Sequence, residues 1–142
     1  MSSNKSLQLL KTIVEHTTKH GIGFENILQQ TKVISGGNGR CKCELRVTED
    51  HQNRGGTLHG GMICTLVDSV STWALLGTDE PVAGVSVDLS VSFFKGAKVG
   101  EDIIIDARTL KRGKRLAFLS VDVINKTDGT LLAQGKHTKF IG

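Results

Sequence analysis

Hydrophobic residues recur at helical spacing in two stretches of the chain. Between residues 5 and 20, Leu9, Ile13 and His16/Thr17 fall three or four positions apart, which predicts an N-terminal helix. The second stretch, from about residue 60 to residue 77, is apolar around most of its circumference, at Met62, Ile63, Leu66, Val67, Val70 and Ala74. Because such a helix is buried on almost every side, we expect it at the centre of the molecule.

Most of the remaining chain alternates between apolar and polar positions, as β-strands do. Strands are predicted at residues 31–35, 40–48, 85–93, 103–111, 115–125 and 130–140. Turn signals separate the paired strands: Gly36-Gly37-Asn38-Gly39, then Gly113, then Thr127-Asp128-Gly129. This order predicts an α+β fold in which an antiparallel sheet curls around one central helix.

The strand at residues 85–93 has the strictest alternation. One face carries Val85, Val87, Leu89, Val91 and Phe93, and the other carries Ser86, Asp88, Ser90 and Ser92. An antiparallel strand with this pattern normally has one face in the core and one face in water. We therefore expect a half-buried strand here.

Length and cysteine content fit a single domain. A chain of 142 residues buries a sizeable core without disulfides, so residues 1–142 are predicted to form one domain, with residues 1–30 as an N-terminal helical segment. Cys41 and Cys43 share one face of a strand, and these two residues and Cys64 are expected to be buried and reduced. No metal, cofactor, secretory signal or transmembrane segment is expected. The cytosol is the simplest reducing compartment, and the acid-free first 14 residues leave a mitochondrial association open.

Positive charge is concentrated toward the C-terminal part of the chain. The net charge is +4, but residues 95–142 hold ten basic and five acidic side chains, whereas residues 1–94 hold eight and nine. This asymmetry predicts an anionic partner: a nucleic acid, an anionic membrane or a phosphorylated small molecule. Nucleic-acid binding is disfavoured because no recognised motif or aromatic platform accompanies the basic residues.

Asp68 is the main candidate for catalysis. It is the only residue between His59 and Asp79 with a charged side chain, and it lies two turns into the apolar helix. A buried carboxylate is costly unless it is paired or hydrogen-bonded. Asp68 is therefore either a structural cap for a neighbouring loop or an acid or base whose pKa desolvation can raise.

The start of the same helix offers a second feature. His59-Gly60-Gly61 supplies backbone N–H groups without intrahelical acceptors, and glycine lets a substrate carbonyl approach them. Asp68 lies about 10 Å along the helix from Gly61, too far for one small acyl group to reach both. We therefore expect the site to combine groups from two subunits.

Four further polar residues carry less information by themselves. Asn53 in a Gly-rich loop is usually a turn residue, and Ser86 on a polar strand face is usually solvated. His51 and His137 have no evident partner in the sequence and are assigned no role.

Three segments together form a more specific pattern: Asn53-Arg-Gly-Gly-Thr-Leu-His-Gly-Gly61, Thr65-Leu-Val-Asp68 and Gly84-Val-Ser-Val-Asp88. This pattern resembles the small hotdog-fold acyl-coenzyme A (acyl-CoA) thioesterases. The likeness continues through Lys98-Val-Gly-Glu-Asp-Ile103 and Ala133-Gln-Gly-Lys-His-Thr-Lys139. It covers residues 47–142 strongly and the N-terminal helix loosely.

The resemblance implies hydrolysis of medium- to long-chain fatty acyl-CoA to free fatty acid and CoA, without a cofactor. Asp68 would act as general base or nucleophile, and Ser86 would help to hold the attacking water. The Gly60 N–H and the Asn53 side chain would polarise the thioester carbonyl, while His59 orients Asn53 or the substrate. Family members join two subunits edge to edge and pair these dimers into a homotetramer, with active sites at the dimer interface.

The resemblance also implies the residues that contact CoA: Ser86, Phe93, Phe94, Lys95, Gly96, Ala97, Lys98, Lys111, Arg112, Gly113, Lys114, Arg115, Leu116 and Phe140. The basic residues of the predicted turn suit the phosphates of CoA, which gives the charge asymmetry a ligand. The chain departs from the family pattern at Gly96, where proline is common, and at Phe140, where a polar residue can stand.

Two alternatives remain open from the sequence. A non-catalytic acyl-CoA-binding hotdog module would share the fold and the basic segments, although Asp68, Asn53 and Gly60 together favour an enzyme. A hotdog dehydratase or hydratase would need a different His-containing motif, which the chain lacks.

Overall fold

The computed structural model describes residues 3–20 and 22–142, and it has two α-helices and six β-strands. The helices are α1, Ser3–Lys19, and α2, Gly60–Leu76. The strands are β1, Lys32–Gly37; β2, Arg40–Arg46; β3, Val85–Phe93; β4, Asp102–Arg112; β5, Leu116–Asn125; and β6, Leu131–Phe140. Short 3-10 helices lie at Gly23–Leu28 and Glu49–His51.

All six strands form one antiparallel sheet in the order β1-β2-β4-β5-β6-β3. The sheet packs against α2, whose Leu66, Val67, Val70 and Ala74 are fully buried. The predicted α+β fold, with a sheet around one central helix, is therefore confirmed. The first hairpin turns at Asn38 and Gly39, which both have positive φ, as its Asn-Gly pair predicts.

The helix α1 lies where the periodicity places it. Its fully buried side chains are Ser6, Leu10, Val14 and Thr18, and Ile13 packs partly buried against the core. Leu10 fits this place because Gly36 and Gly77 have no side chains there; a Cβ added at either glycine would lie within 2.6 Å of Leu10. The surface that α1 packs against therefore decides which face of the helix is buried.

β3 is an edge strand, and the expectation that it is half-buried is wrong for the single chain. It pairs only with β6, and Val85, Val87 and Phe93 are 68%, 60% and 54% exposed. Val91 alone on this strand packs against the core. Alternation predicts which residues share a face but not whether a second layer covers that face.

The pairing of β3 with β6 contains a register shift between Ser86 and Asp88. An extra residue in one strand turns the side chains before it relative to those after it. Ser86 consequently bonds a side chain of the helix-facing side of β6, although strict alternation would put it opposite Val91. This bulge places Ser86 in the functional site described below.

The cysteine prediction is confirmed for Cys41 and Cys43, whereas Cys64 on α2 is unbridged but only partly buried. Cys41 and Cys43 on β2 are fully buried and unbridged, with their Sγ atoms 3.7 Å apart. The hydrogen bond between the two thiols, followed by burial, raises the pKa of the Cys43 thiol well above its ordinary value. Both groups therefore behave as small core residues.

Gly135 of β6 permits the close approach of the sheet to α2. A Cβ at this position would lie 2.5 Å from Cγ1 of Val67. We expect Gly135→Ala to lower the free energy of unfolding by about 1–3 kcal/mol, because the core has no room for the methyl group. Urea denaturation measures this change. Gly113→Ala is the matched control, since a Cβ there meets its nearest atom at 3.6 Å, and an equal loss in both variants would contradict the explanation.

Candidate active site

The polar residues of α2 lie along one stripe of the helix, and Asp68 is at its middle. The Asp68 side chain is 50% exposed, so the expectation of a buried carboxylate is wrong for the single chain. The reason is the edge position of β3, which leaves this side of α2 incompletely covered. Asp68 therefore lies at the boundary between the core and the exposed surface.

His137 of β6 connects this stripe to β3. Its Nδ1 lies 2.8 Å from Oγ of Ser71, and its Nε2 lies 2.7 Å from Oγ of Ser86. Oδ1 of Asp68 is 3.9 Å from the same Nε2. The structure thus brings the predicted residues Asp68 and Ser86 together through a histidine that the sequence analysis left without a role.

Lys139 of β6 contacts α2 at Thr72, one turn beyond Asp68. It is 4% exposed, and its Nζ donates to Oγ1 of Thr72 at 2.6 Å. Because an ammonium group has no acceptor, Thr72 must use its own hydrogen elsewhere, and it donates to the backbone oxygen of Asp68 at 2.8 Å. We call Asp68, Ser71, Thr72, Ser86, His137 and Lys139 the polar seam.

Burial changes the pKa values of the ionisable side chains in the polar seam. It lowers the pKa of His137, an effect that nearby Lys139 reinforces and that Asp68 and Asp88 oppose. Burial also lowers the pKa of Lys139, and Asp68 opposes that shift. The neutral form of His137 is therefore favoured near neutral pH.

The start of α2 has the geometry that the sequence predicts for an anion or carbonyl site. His59 is the N-cap, and its Nδ1 accepts a hydrogen bond from the Gly61 N–H at 2.8 Å. The Gly60 N–H belongs to the first turn, where N–H groups have no intrahelical acceptor. A Cβ at Gly60 would lie 3.5 Å from the Phe93 ring, so β3 also borders this position.

Asn53 is held firmly in the loop before α2. Its Oδ1 accepts from the N–H groups of Gly55 and Thr57, and its Nδ2 donates to Oγ1 of Thr57 at 2.9 Å. These bonds show the turn function that asparagine often has in such loops. They engage one of the two Nδ2 hydrogens, and the other is the group that a substrate role requires.

The first predicted CoA-binding segment lies against this loop. Thr57 pairs with Lys98, and the Leu58 N–H donates to the backbone oxygen of Ala97 at 2.7 Å. Phe93, Phe94, Lys95, Gly96 and Lys98 are exposed. Ala97 is 1% exposed, so its side chain belongs to the core and offers no surface to a ligand.

The second predicted CoA-binding segment, residues 111–116, forms the exposed turn between β4 and β5. Leu116 pairs with Phe140, and an open groove of about 520 Å³ is lined by Glu80, Arg112, Gly113, Lys114 and Ile141. Arg112 also has a structural role, because its guanidinium donates to the Glu80 backbone oxygen at 2.7 Å. Lys111, Lys114 and Arg115 are exposed as well.

The two predicted CoA-binding segments lie at opposite ends of α2 within one chain. Phe93 borders the first turn of α2, whereas Arg112 contacts Thr78 and Glu80 just beyond its last turn. The 17 residues of α2 span about 25 Å. The polar seam lies between these two ends.

Sequence reasoning missed His137, Lys139 and Ser71. One signal was present: residues 135, 137 and 139 alternate on β6, and two polar side chains follow a glycine on the face that packs against α2. The serine and threonine after Asp68 also continue the polar stripe of the helix. Neither pattern by itself shows that the two stripes meet.

Within residues 3–20 and 22–142, no helix is both long and apolar enough to cross a membrane. The same residues contain no group of three or more histidine, cysteine, aspartate and glutamate side chains arranged to hold a metal ion.

The fold and the site define a class of protein. Residues 55–132 match the family model described as the thioesterase superfamily, and the chain belongs to that superfamily. Its fold is the hotdog fold, as the sequence resemblance implies.

Individual relatives narrow the class. The chain is 48% identical over 135 residues to acyl-coenzyme A thioesterase 13 of Homo sapiens, covering 95% of this chain and 96% of the relative. The crystal structure of thioesterase superfamily member 2 from Mus musculus has 46% identity and a TM-score of 0.88, and the match covers 100% of both chains. The protein smu.793 of Streptococcus mutans, solved bound to acetyl-CoA, has 25% identity and a TM-score of 0.74 over 79% of this chain and 88% of that one.

The two buried histidines make stability depend on pH. Burial lowers the pKa of both His51 and His137 below the ordinary value. As the pH falls through about 6.5, the unfolded chain takes up protons that the folded chain does not, so the free energy of unfolding decreases. We expect urea midpoints to fall between pH 8 and pH 5.5 and to fall less in His137→Gln. An unchanged slope in both His137→Gln and His51→Gln would contradict this assignment.

Proposed function

We propose that this protein is an acyl-CoA thioesterase that hydrolyses fatty acyl-CoA to a free fatty acid and CoA. The observation that carries the proposal is the half-exposed Asp68 beside the bonded pair Ser86 and His137, on the incompletely covered side of the central helix. The match to the thioesterase superfamily and the name of the human relative support the same reaction.

In the proposed mechanism, Asp68 is the general base. It takes a proton from a water molecule whose oxygen attacks the thioester carbon, and Ser86 orients that water. The Gly60 N–H and the second Nδ2 hydrogen of Asn53 stabilise the charge that develops on the carbonyl oxygen. The C–S bond then breaks, CoA leaves as a thiolate that takes up a proton, and the acyl group leaves as a carboxylic acid. His59 supports this oxygen site by capping the first turn.

The active site is proposed to form between two subunits. Gly60 and Asp68 are eight residues apart on one helix, or about 12 Å, so they do not reach the same thioester within one chain. The exposed edge of β3 supports pairing with a second copy. In an antiparallel pairing, the Val85 end of one β3 lies beside the Phe93 end of the other. Asp68 of one subunit then approaches Gly60 of its partner, and two such dimers form the proposed homotetramer.

The same pairing is proposed to complete the CoA site. The exposed segment 93–98 of one chain and the basic turn 111–116 of the other would lie along one groove. Lys95, Lys98 and Lys114 are exposed cations suited to phosphate groups. Phe93, Phe94 and Phe140, which are 45–57% exposed, are suited to contact the adenine or the pantetheine arm.

Medium- to long-chain acyl groups are the proposed substrates. The helix-facing side of β3 carries Leu89 and Phe93, which are 38% and 54% exposed in the single chain. Together with the incompletely covered side of α2 they offer an apolar surface for an alkyl chain. The free cysteines support a reducing compartment, for which we propose the cytosol.

The role of Asp68 is tested by Asp68→Asn. This change keeps the size of the side chain but removes its ability to accept a proton, so we expect kcat to fall about 10²- to 10⁴-fold with little change in KM. Release of free thiol from palmitoyl-CoA and from short acyl-CoA esters measures the rate. Asp106→Asn is the matched control, because Asp106 is partly buried on β4, where the buried side chains are those of its neighbours Ile105 and Ala107.

The same assay addresses the alternative of a non-catalytic acyl-CoA-binding module. Calorimetric binding of a non-hydrolysable acyl-CoA analogue, with no thiol release by the unchanged protein, would favour that alternative. Asp68→Asn that hydrolyses as fast as the unchanged protein would refute the mechanism while leaving the activity intact.

The two-subunit site is tested by Val87→Asp. Val87 lies on the exposed edge strand β3, where a charge disfavours pairing with another strand. We expect analytical ultracentrifugation to show dissociation to monomers and thiol release to fall in parallel. The control is Ile34→Asp on β1, the opposite edge of the same sheet, where Ile34 is 41% exposed. A fully active monomer would contradict the proposal.

A further inference from the structure

Ser71 lies beneath the proposed catalytic groups and has no part in the mechanism above. It is fully buried on α2, and its Oγ has two polar neighbours. One is the backbone oxygen of Asp68 at 3.0 Å, and the other is Nδ1 of His137 at 2.8 Å. A hydroxyl group has one hydrogen, so it donates only one hydrogen bond.

These two contacts point to one position for the His137 hydrogen. The Asp68 carbonyl can only accept, so Ser71 bonds it as a donor and then has only its oxygen lone pairs for His137. Both hydrogen bonds form together only with the hydrogen of the neutral imidazole on Nδ1, which leaves a lone pair on Nε2. If the hydrogen were on Nε2 instead, the single hydrogen of Ser71 would face two acceptors and could bond only one of them.

The lone pair on Nε2 sets the direction of the next bond. Ser86 lies 2.7 Å away and must donate its hydrogen to Nε2. Its oxygen is then free to accept. A water molecule between Asp68 and Ser86 meets two acceptors, which hold both of its hydrogens and leave an oxygen lone pair for attack.

We propose that Ser71 is a positioning residue: it fixes the tautomer of His137 and thereby makes Ser86 an acceptor for the attacking water. The proposal rests on the thioesterase function proposed above. It extends that function from the proposed catalytic residues to one buried beneath them.

The charged groups around His137 make the role of Ser71 specific. The charged groups that act on the ring are Asp68 on α2, Lys139 on β6 and Asp88 on β3, where Asp88 pairs with Thr138 rather than with His137. The Asp68 carboxylate, 3.9 Å from Nε2, attracts a hydrogen on that atom and so opposes the proposed tautomer. Ser71 is the group that reverses this preference. Without its hydroxyl, the hydrogen should move to Nε2.

Nuclear magnetic resonance on the full-length protein, without substrate, tests the tautomer. Isotope labelling of histidine nitrogens distinguishes protonated from unprotonated ring nitrogens, and His137→Gln identifies the His137 signals. We expect the hydrogen on Nδ1 in the unchanged protein and on Nε2 in Ser71→Ala. Ser120→Ala, a change at another buried serine, should leave the signals as they are. A hydrogen on Nε2 in the unchanged protein, or on Nδ1 in Ser71→Ala, overturns the proposal.

Kinetics test whether Ser71 acts through Ser86. Ser71→Ala should lower kcat about tenfold, the effect of roughly one hydrogen bond, with KM unchanged. In the Ser86→Ala background the same change should have no further effect. Independent, multiplying losses would show a merely structural role and overturn the proposal. If Ser71→Ala misfolds by circular dichroism, Ser71→Cys, which keeps the volume with a weaker acceptor, replaces it in both measurements.

The two proposals fail in different ways. If the unchanged protein releases no thiol from any acyl-CoA, the proposed function is wrong, and the proposed effect on the attacking water falls with it. The resonance measurement then still decides the His137 tautomer. If the protein is active but its hydrogen lies on Nε2, only the role of Ser71 is wrong.

Discussion

The structure depends on one constraint: a helix that is apolar around most of its circumference must be buried by a single sheet. Close approach at Gly135 and Val67 brings the sheet onto α2. The six-stranded sheet nevertheless has edge strands, and β3 has a neighbour on only one side. The uncovered stripe of α2 contains Asp68. The limit of the sheet's coverage therefore determines which stripe of α2 is exposed, so the core and the candidate site depend on the same packing.

In the buried part of the polar seam, each polar side chain has a hydrogen-bond partner, because a buried polar group without a partner is costly. Lys139 and His137 lie between the helix and the sheet, and each has a hydroxyl partner on α2, Thr72 and Ser71. These bonds leave few alternative arrangements, so they hold the side chains in fixed positions before any ligand arrives. Asp68 needs no such support at its carboxylate because that side chain is half-exposed. A buried hydrogen-bonded network and an exposed carboxylate are thus adjacent on one helix.

Much of the fold was predictable from the sequence because periodicity is a local property. The alternation at 85–93 located β3, and the apolar run located α2, in both cases close to the observed bounds. The burial of β3 and the burial of Asp68 were predicted wrongly for the single chain, since each depends on which element lies opposite. The bond between His137 and Ser86 joins residues 51 positions apart, so no local spacing reveals it. The catalytic roles of Asp68, Asn53 and Gly60 remain proposals.

The pairing of β3 with β6 has a consequence for the order of folding. β3 is followed along the chain by β4 and β5 before its neighbour β6. During synthesis, β3 therefore gains its partner only after these two strands and β6 have been made. Pairings between distant segments form slowly, and an unpaired apolar strand is a site for aggregation in the meantime. The edge that remains exposed in the folded chain is thus also among the last parts to be protected on the ribosome.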